Sequence, residues 1–256
     1  MTKLTDISTR APKGLDKEKT KLKLPELNTR LSELQNVLYA QSKFKLLIIF
    51  QGMDASGKDG TVKSVFHGVN PLGCRVQAFK APTEEERSHD FLWRIHKHVP
   101  ENGMIQIFNR SHYEDILVPT VHQLFDRKTI EARYKHINNF EALLKDSNTI
   151  VLKFFLHISK EEQTERLNER KTNPTKFWKH SDRDSIEAKS WDKYMKVYNE
   201  IFKKCAEHAA WNIIPADQNW YRDYLVAKTI VKTLEELPLE FPKLQEEKSK
   251  KKNKAS

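Results

Sequence analysis

The chain predicts an α/β fold, a parallel sheet covered by helices on both faces. Three observations carry this. Five short β-like runs, at 45–51, 74–80, 104–109, 150–158 and 212–215, are separated by longer charged stretches of helical character. The first run is apolar from Leu46 to Phe50 and passes directly into a glycine-rich turn. The fourth is followed at once by Ser159-Lys160-Glu161-Glu162, a capping-box sequence that opens a helix. In such sheets ligands bind beyond the carboxyl ends of the strands.

Taken in order, residues 25–44 carry Leu27, Leu31, Leu34 and Leu38 at helical spacing, with Pro25 suited to the first turn. The strand at 45–51 and its turn lead into a further helix. After the strand at 74–80, Pro82 precedes one helical stretch over 83–98. The strand at 104–109 leads to helices over 114–125 and 130–145, and the strand at 150–158 to the helix opened by Ser159. There is no internal repeat and no Gly/Ser linker, so one main domain is the simplest count. We set it at 25–242, with a basic extension over 1–24, a lid at about 160–190, and a disordered lysine-rich tail over 243–256.

The formal charge of +10 over 256 residues invites a nucleic-acid reading. Its placement weakens that reading: residues 1–23 carry seven Lys/Arg against three acids, and residues 243–256 carry six Lys against two Glu. The two ends thus account for +8, and the interior is nearly balanced. No apolar run approaches the ~20 residues of a membrane span. The N-terminus has no apolar signal segment, and Cys74 and Cys205 stand far apart. The expectation is a cytoplasmic protein with reduced thiols.

Gly52, Gly57 and Lys58 stand in the G-x-x-x-x-G-K spacing of a phosphate-binding P-loop, but Asp59 replaces the usual metal-holding hydroxyl. Backbone N–H groups along Gly52, Ala55, Ser56, Gly57, Asp59 and Gly60 would face an anion at a helix N-terminus, with Lys58 as a mobile charge. Asp54, an acid inside the loop, reads either as a magnesium ligand or as a cap on its own turn. Asp59 is expected to pair with Lys63 one turn on and face solvent.

The third strand ends in F-N-R-S-H-Y-E-D, residues 108–115. Arg110 suits bidentate phosphate contact. Glu114 and Asp115 either complement a helix dipole or help hold metal or nucleotide. His112 is read as a packed side chain. From 166 to 183, Arg166, Arg170, Lys171, Lys176, Lys179 and Arg183 face only Glu169 and Asp182. This stretch is either a solvated surface or a lid that closes over phosphates. The five tryptophans are too scattered for a base-stacking platform.

Together these three segments resemble the polyphosphate kinase 2 family. G-M-D-A-S-G-K-D-G is similar to its G-x-D-x-x-G-K-x-G loop, and F-N-R-S-H-Y-E-D to its F-D-R-S-W-Y-N-R motif. The stretch from Glu162 through Trp178 to Trp191-Asp192-Lys193-Tyr194 is similar to its lid. The resemblance implies a P-loop kinase-like three-layer α/β/α sandwich with a five-stranded parallel sheet and a helical lid. It implies phosphoryl transfer between inorganic polyphosphate and a nucleotide, with magnesium or, in substitution, manganese. By motif position Asp54 holds the metal, with Glu114 or Asp115 as alternatives. Asp54, Lys58, Arg110 and Asp115 form the catalytic set. The loop, Lys80, Arg110, Arg166 and Arg170 hold phosphates, and Asn109, Glu114, Asp115 and Arg183 hold the nucleotide. Asn109 and the Glu114-Asp115 pair depart from the common motif in the manner of a subgroup acting on both AMP and ADP. Adenine nucleotides are the expected acceptors, guanine nucleotides a further class, and a homodimer or homotetramer the expected assembly. Membranes and specific nucleic acids are not expected partners. Three rivals remain at this stage: an ATP-dependent small-molecule or nucleotide kinase, a nucleic-acid-binding ATPase using the lysine-rich ends, and a degenerate P-loop scaffold in which Asn109 marks lost activity.

Overall fold

The computed structural model describes residues 3–244. Most of the expected lysine-rich tail falls outside them. The first helix, α1 (Lys17–Gln41), is followed by β1 (Lys45–Gln51), α2 (Lys58–Val65) and β2 (Cys74–Ala78). Two short helices, α3 (Glu84–Ser88) and α4 (Trp93–His96), lead to β3 (Ile105–Asn109), then α5 (Glu114–Val121) and α6 (Arg127–Asp146). The remainder is β4 (Thr149–His157), α7 (Lys160–Thr172), α8 (Asp182–Ala188), α9 (Trp191–Lys204), β5 (Trp211–Pro215) and α10 (Asn219–Glu235). A 3-10 segment, Pro174–Lys179, joins α7 to α8.

All five strands pair in parallel in the order β2-β3-β1-β4-β5. Leu46 to Phe50 are wholly buried, so β1 is covered on both faces. Phe50 lies opposite both Asn109 and Phe154, which brings the ends of β1, β3 and β4 level. The chain therefore leaves the sheet for its loops at one common edge. On one side α1 packs with α10 and α10 with α2; on the other α5 packs with α6 and α9. Among the described residues no helix is long and apolar enough to cross a membrane.

The structure corrects several sequence expectations. α1 begins at Lys17, capped by Asp16 accepting from the Lys19 N–H, so Pro25 lies inside the helix. The bond it removes, to the Lys21 carbonyl, falls on an exposed turn. The single helix over 83–98 breaks in two. Thr83 and Glu86 cap α3 reciprocally, and Asp90 restarts the chain by accepting from the Leu92 N–H with its side chain and the Trp93 N–H with its carbonyl. α5 stops at Val121, after which Asp126 caps α6 at the Thr129 N–H. β2 ends at Ala78, two residues before Lys80. Ser159 caps α7 through the Glu162 N–H, but the reciprocal half of the expected capping box is absent: the Ser159 N–H donates to Asp217 and Glu162 pairs with Arg166. Upstream of α1 the chain straps onto the β5–α10 side: Leu4 is buried, and Thr9 donates to Asp217 at 2.7 Å.

Candidate active site

The glycine-rich turn bends because its backbone enters the left-handed region at Ala55 (φ 63°) and Gly57 (φ 97°). Gly57 also has no room for a side chain, since a Cβ there would lie 2.0 Å from Nη1 of Arg222. The turn wraps the Lys58 ammonium, which donates to the carbonyls of Gly52 (2.9 Å) and Met53 (3.1 Å). Burial, reinforced by the Arg110 guanidinium, pushes this lysine down to about 8. Lys58 is thus a nearly dry cation held by carbonyl dipoles at the N-terminus of α2.

β3 delivers the second segment to the same place. Arg110 takes φ 64°, its N–H bonded to the Phe50 carbonyl, and its guanidinium reaches back to Asp54 and to Glu114 at 3.3 Å. Glu114, then opposing burial, then Asp54 set its basicity, and the net effect is upward, which fixes its charge. The Gln51 amide, oriented to accept from the Ser111 N–H, donates to the other Glu114 oxygen at 2.9 Å. Beneath the segment lies a buried polar cluster. Lys153 of β4 donates to Glu141 (2.6 Å), to the Tyr113 hydroxyl (3.0 Å) and to the Cys205 carbonyl (2.8 Å). His112 is fully buried beside it, its pKa lowered chiefly by that burial, and packs against Phe140.

Asp59 does not pair with Lys63 on the solvent side. It turns into the cleft, accepting from Asn109 at 2.6 Å and Lys179 at 2.9 Å. Burial works to raise its pKa, but Lys179 and Asn109 hold the carboxyl below the usual range. Lys179 reaches it from the far end of the lid. There Arg170 pairs with Asp184 at 2.6 Å. Arg166 donates to the loop carbonyl of Ala55 at 3.0 Å and to the Ala216 carbonyl at 2.8 Å, clamping loop to lid helix.

The outcome is one open cleft of about 560 Å³ between turn and lid. It is lined by eight Lys or Arg residues against four Asp or Glu. Asp54, Ala55, Ser56, Gly57, Lys58, Asp59, Gly60, Lys80, Asn109, Arg110, Arg166 and Arg170 all border it, which brings most of the sequence-predicted residues together. Gly52 and Glu114 border an adjoining cavity of about 130 Å³ that shares Asp54 and Arg110 with the cleft. Asp115 is not brought in: it pairs with Arg94 at 3.0 Å, and burial raises its pKa against the pull of that arginine. Arg183 falls in α8, and its side chain lies outside the described ones. Arg222, Asn219 and Asp184 line the cleft without having been anticipated. Lys176, which also lines it, belongs to the basic stretch, but a lone Arg-Asp pair in a helix gave Arg222 no sequence signal.

Comparison with known proteins agrees with this geometry. The family model for polyphosphate kinase 2 matches residues 14–242. An AMP/ADP-polyphosphate phosphotransferase from Meiothermus ruber is 49% identical over 220 residues, 86% of this chain and 82% of that protein. An ADP-polyphosphate phosphotransferase from Rhodopseudomonas palustris is 40% identical over 83% of this chain and 78% of its own length. The crystal structure of a polyphosphate kinase 2 from Arthrobacter aurescens superposes with a TM-score of 0.91 at 41% identity, covering 95% of this chain and 88% of that one. With the family matched across nearly the whole described fold, this chain belongs to the polyphosphate kinase 2 family, enzymes of polyphosphate-dependent nucleotide phosphotransfer.

Proposed function

We propose that this enzyme transfers the terminal phosphoryl of inorganic polyphosphate to both AMP and ADP, reversibly, with a phosphate-bound magnesium ion. The observation that carries this is the cleft itself. It is lined by Lys58, Arg166, Arg170, Lys176 and Lys179, more cations than a single phosphate group needs, which supports a chain of phosphates as the ligand. The dual acceptor is supported by Glu114 beside Arg110, where the common motif has Asn, and by the Meiothermus ruber relative, an AMP/ADP-polyphosphate phosphotransferase.

The transfer is direct. A nucleotide phosphate oxygen is already anionic at neutral pH, so no general base is needed for in-line attack on the chain terminus. Lys58 and the loop N–H groups hold the moving phosphoryl; Arg110, fixed by Asp54 and Glu114, orients its neighbour. Among the described residues no group of three or more His, Cys, Asp or Glu is placed to hold a metal. Asp54 nevertheless fits an ion brought in on phosphate, because magnesium needs only one or two carboxylates beside phosphate oxygens and water. Its present partner is the Arg110 guanidinium, which supports a site for positive charge. Bound there, the metal would neutralise charge on the transferring group. Manganese would serve in the same position. The free thiols of Cys74 and Cys205 suit a cytoplasmic setting, and we expect a homo-oligomer.

The test is a nucleotide assay with purified protein, magnesium and long-chain polyphosphate, with AMP and ADP in separate tubes, read by chromatography. ADP and ATP from AMP are expected. ATP from ADP alone would remove the dual-acceptor reading. No product from either, with ATP consumed when small acceptors are offered, would overturn the polyphosphate reading.

A further inference from the structure

The least explained group in the cleft is Arg222. It stands in the first turn of α10, outside all three motifs, and is 3% exposed although it lines an open cleft. Two contacts fix its orientation. Nε donates to Asp223 at 2.8 Å and Nη1 to Asn219 at 2.7 Å; Asp223 is itself held by the Thr61 hydroxyl at 3.1 Å. A guanidinium has five N–H donors, so three remain.

Those three sit against the phosphate loop. A Cβ on Gly57 would fall 2.0 Å from Nη1, and one on Gly60 would fall 3.5 Å from Nη2. The two glycines of G-K-D-G thus leave room for this arginine as well as for backbone approach to phosphate. Arg166 flanks the same glycine, its Nη1 lying 3.5 Å from the Gly57 Cβ position, and shares the Asn219 oxygen with Arg222. Burial, opposed by Asp223, lowers the Arg222 pKa, and Arg166 adds to the lowering. Two guanidinium groups held this close repel each other. An anion lying along the loop turns that repulsion into a binding site.

The sheet order says which anion. Arg110 and Glu114 follow β3, on one side of β1, whereas α7 and α10 follow β4 and β5 on the other. The β3 side carries Arg110 with Glu114 beside it. The β4–β5 side brings Arg166, Arg170, Lys176, Lys179 and Arg222 to the cleft against two acids, Glu169 and Asp184, and so keeps the larger positive excess.

We propose that Arg222 is a binding residue for the polyphosphate chain, donating to a phosphate next to the one held at Lys58. This rests on the polyphosphate reading above and assigns one side of the cleft to the donor. Arg222→Lys keeps a charge and the volume but loses the fork, and Arg222→Met loses the charge. Both are compared with Asp223→Asn, which weakens the ion pair while keeping the arginine. For Arg222→Met the KM for polyphosphate should rise tenfold or more, with the KM for AMP and ADP within twofold. Arg222→Lys should fall between. The slope of log KM for polyphosphate against log salt should drop by roughly 0.7–1 for the lost phosphate contact, which a purely structural brace would not produce. Thermal stabilisation by polyphosphate should shrink in the same order. An unchanged polyphosphate KM and salt slope in Arg222→Lys and Arg222→Met would overturn the proposal. So would a rise in nucleotide KM instead, or an equal defect in Asp223→Asn. If wild type makes no nucleotide product from polyphosphate, it is the polyphosphate reading that fails.

Discussion

The two walls of the cleft are built by different physics. The floor, made of the Gly52–Gly60 turn and residues 109–115, hangs from wholly buried strands. It holds left-handed backbone at Ala55, Gly57 and Arg110, and a buried ion pair lies beneath it. The lid wall, from α7 through Pro174–Lys179 to α8, has no buried residue in its 3-10 segment and exposes Phe177, Trp178 and Ile186. Its charged groups pair with one another and with the floor: Lys176 with Glu169, Arg170 with Asp184, Lys179 with Asp59. The floor is oriented before substrate arrives. The lid wall is held by ion pairs of the kind phosphates can replace, and it is expected to exchange partners on binding.

The sharpest way to break this contrast is to remove the ammonium from the floor. Lys58→Met should lower kcat by on the order of 10²–10³, the loss typical of one preorganised donor to developing charge. Its melting temperature should not fall, because the lysine is buried among carbonyls without a carboxylate partner of its own. A large drop in melting temperature would mean that Lys58 holds the loop together rather than serving the substrate.

The same lysine gives the floor a pH signature. Its folded pKa of about 8 lies below the ordinary 10.5. As pH rises through about 8 the free enzyme loses the charge, so kcat/KM should fall there. Lys58→Arg should abolish that limb if it supports turnover at all. For stability the sign is opposite. Between about 8 and 10.5 the unfolded chain binds more protons at this site, so its contribution to stability rises with pH. An alkaline limb unchanged in Lys58→Arg would assign it to another group.

Next in size is the support beneath the floor. Glu141→Gln leaves the Lys153 ammonium, fully buried, without its counter-charge. The expected cost is about 3 kcal/mol or more, read as a fall in melting temperature, with a lower kcat because Tyr113 and the Arg110 segment lose their anchor. Loss of stability with kcat intact would show that the cluster braces the sheet alone.

The contrast also explains what was legible in the sequence. β1 and β3 announced themselves because strands buried on both faces are nearly continuous apolar runs, and the turn because Gly52 and Gly57 stand where a side chain would meet neighbouring atoms. These are local constraints. Asp115 depends on Arg94, earlier in the chain, and Arg222 reaches the cleft only through its packing against the distant Gly57; no local pattern separates a carboxylate aimed at a metal from one aimed at Arg94. Asp59 failed for the same reason, since its partner is 120 residues away. The break between α3 and α4 was missed because Asp90 competes with the helix through its own side chain, which periodicity does not weigh.

The smallest effect belongs to the lid, and it should depend on salt where the floor does not. Lys179 and Asp59 are 31% and 60% exposed at the side chain, so their pair contributes about 0–1 kcal/mol. Lys179→Met should leave the melting temperature within about 2 °C, in keeping with so small a term. At low ionic strength it should raise the KM for polyphosphate a few-fold, because one cation of the track is lost. At 0.5 M salt, where the screening length is only a few ångströms, that difference should vanish while the Lys58→Met defect persists. A Lys179→Met defect that survives high salt would place the lysine in a dry, fixed geometry. The lid would then be a second floor, assembled before the substrate and not by it.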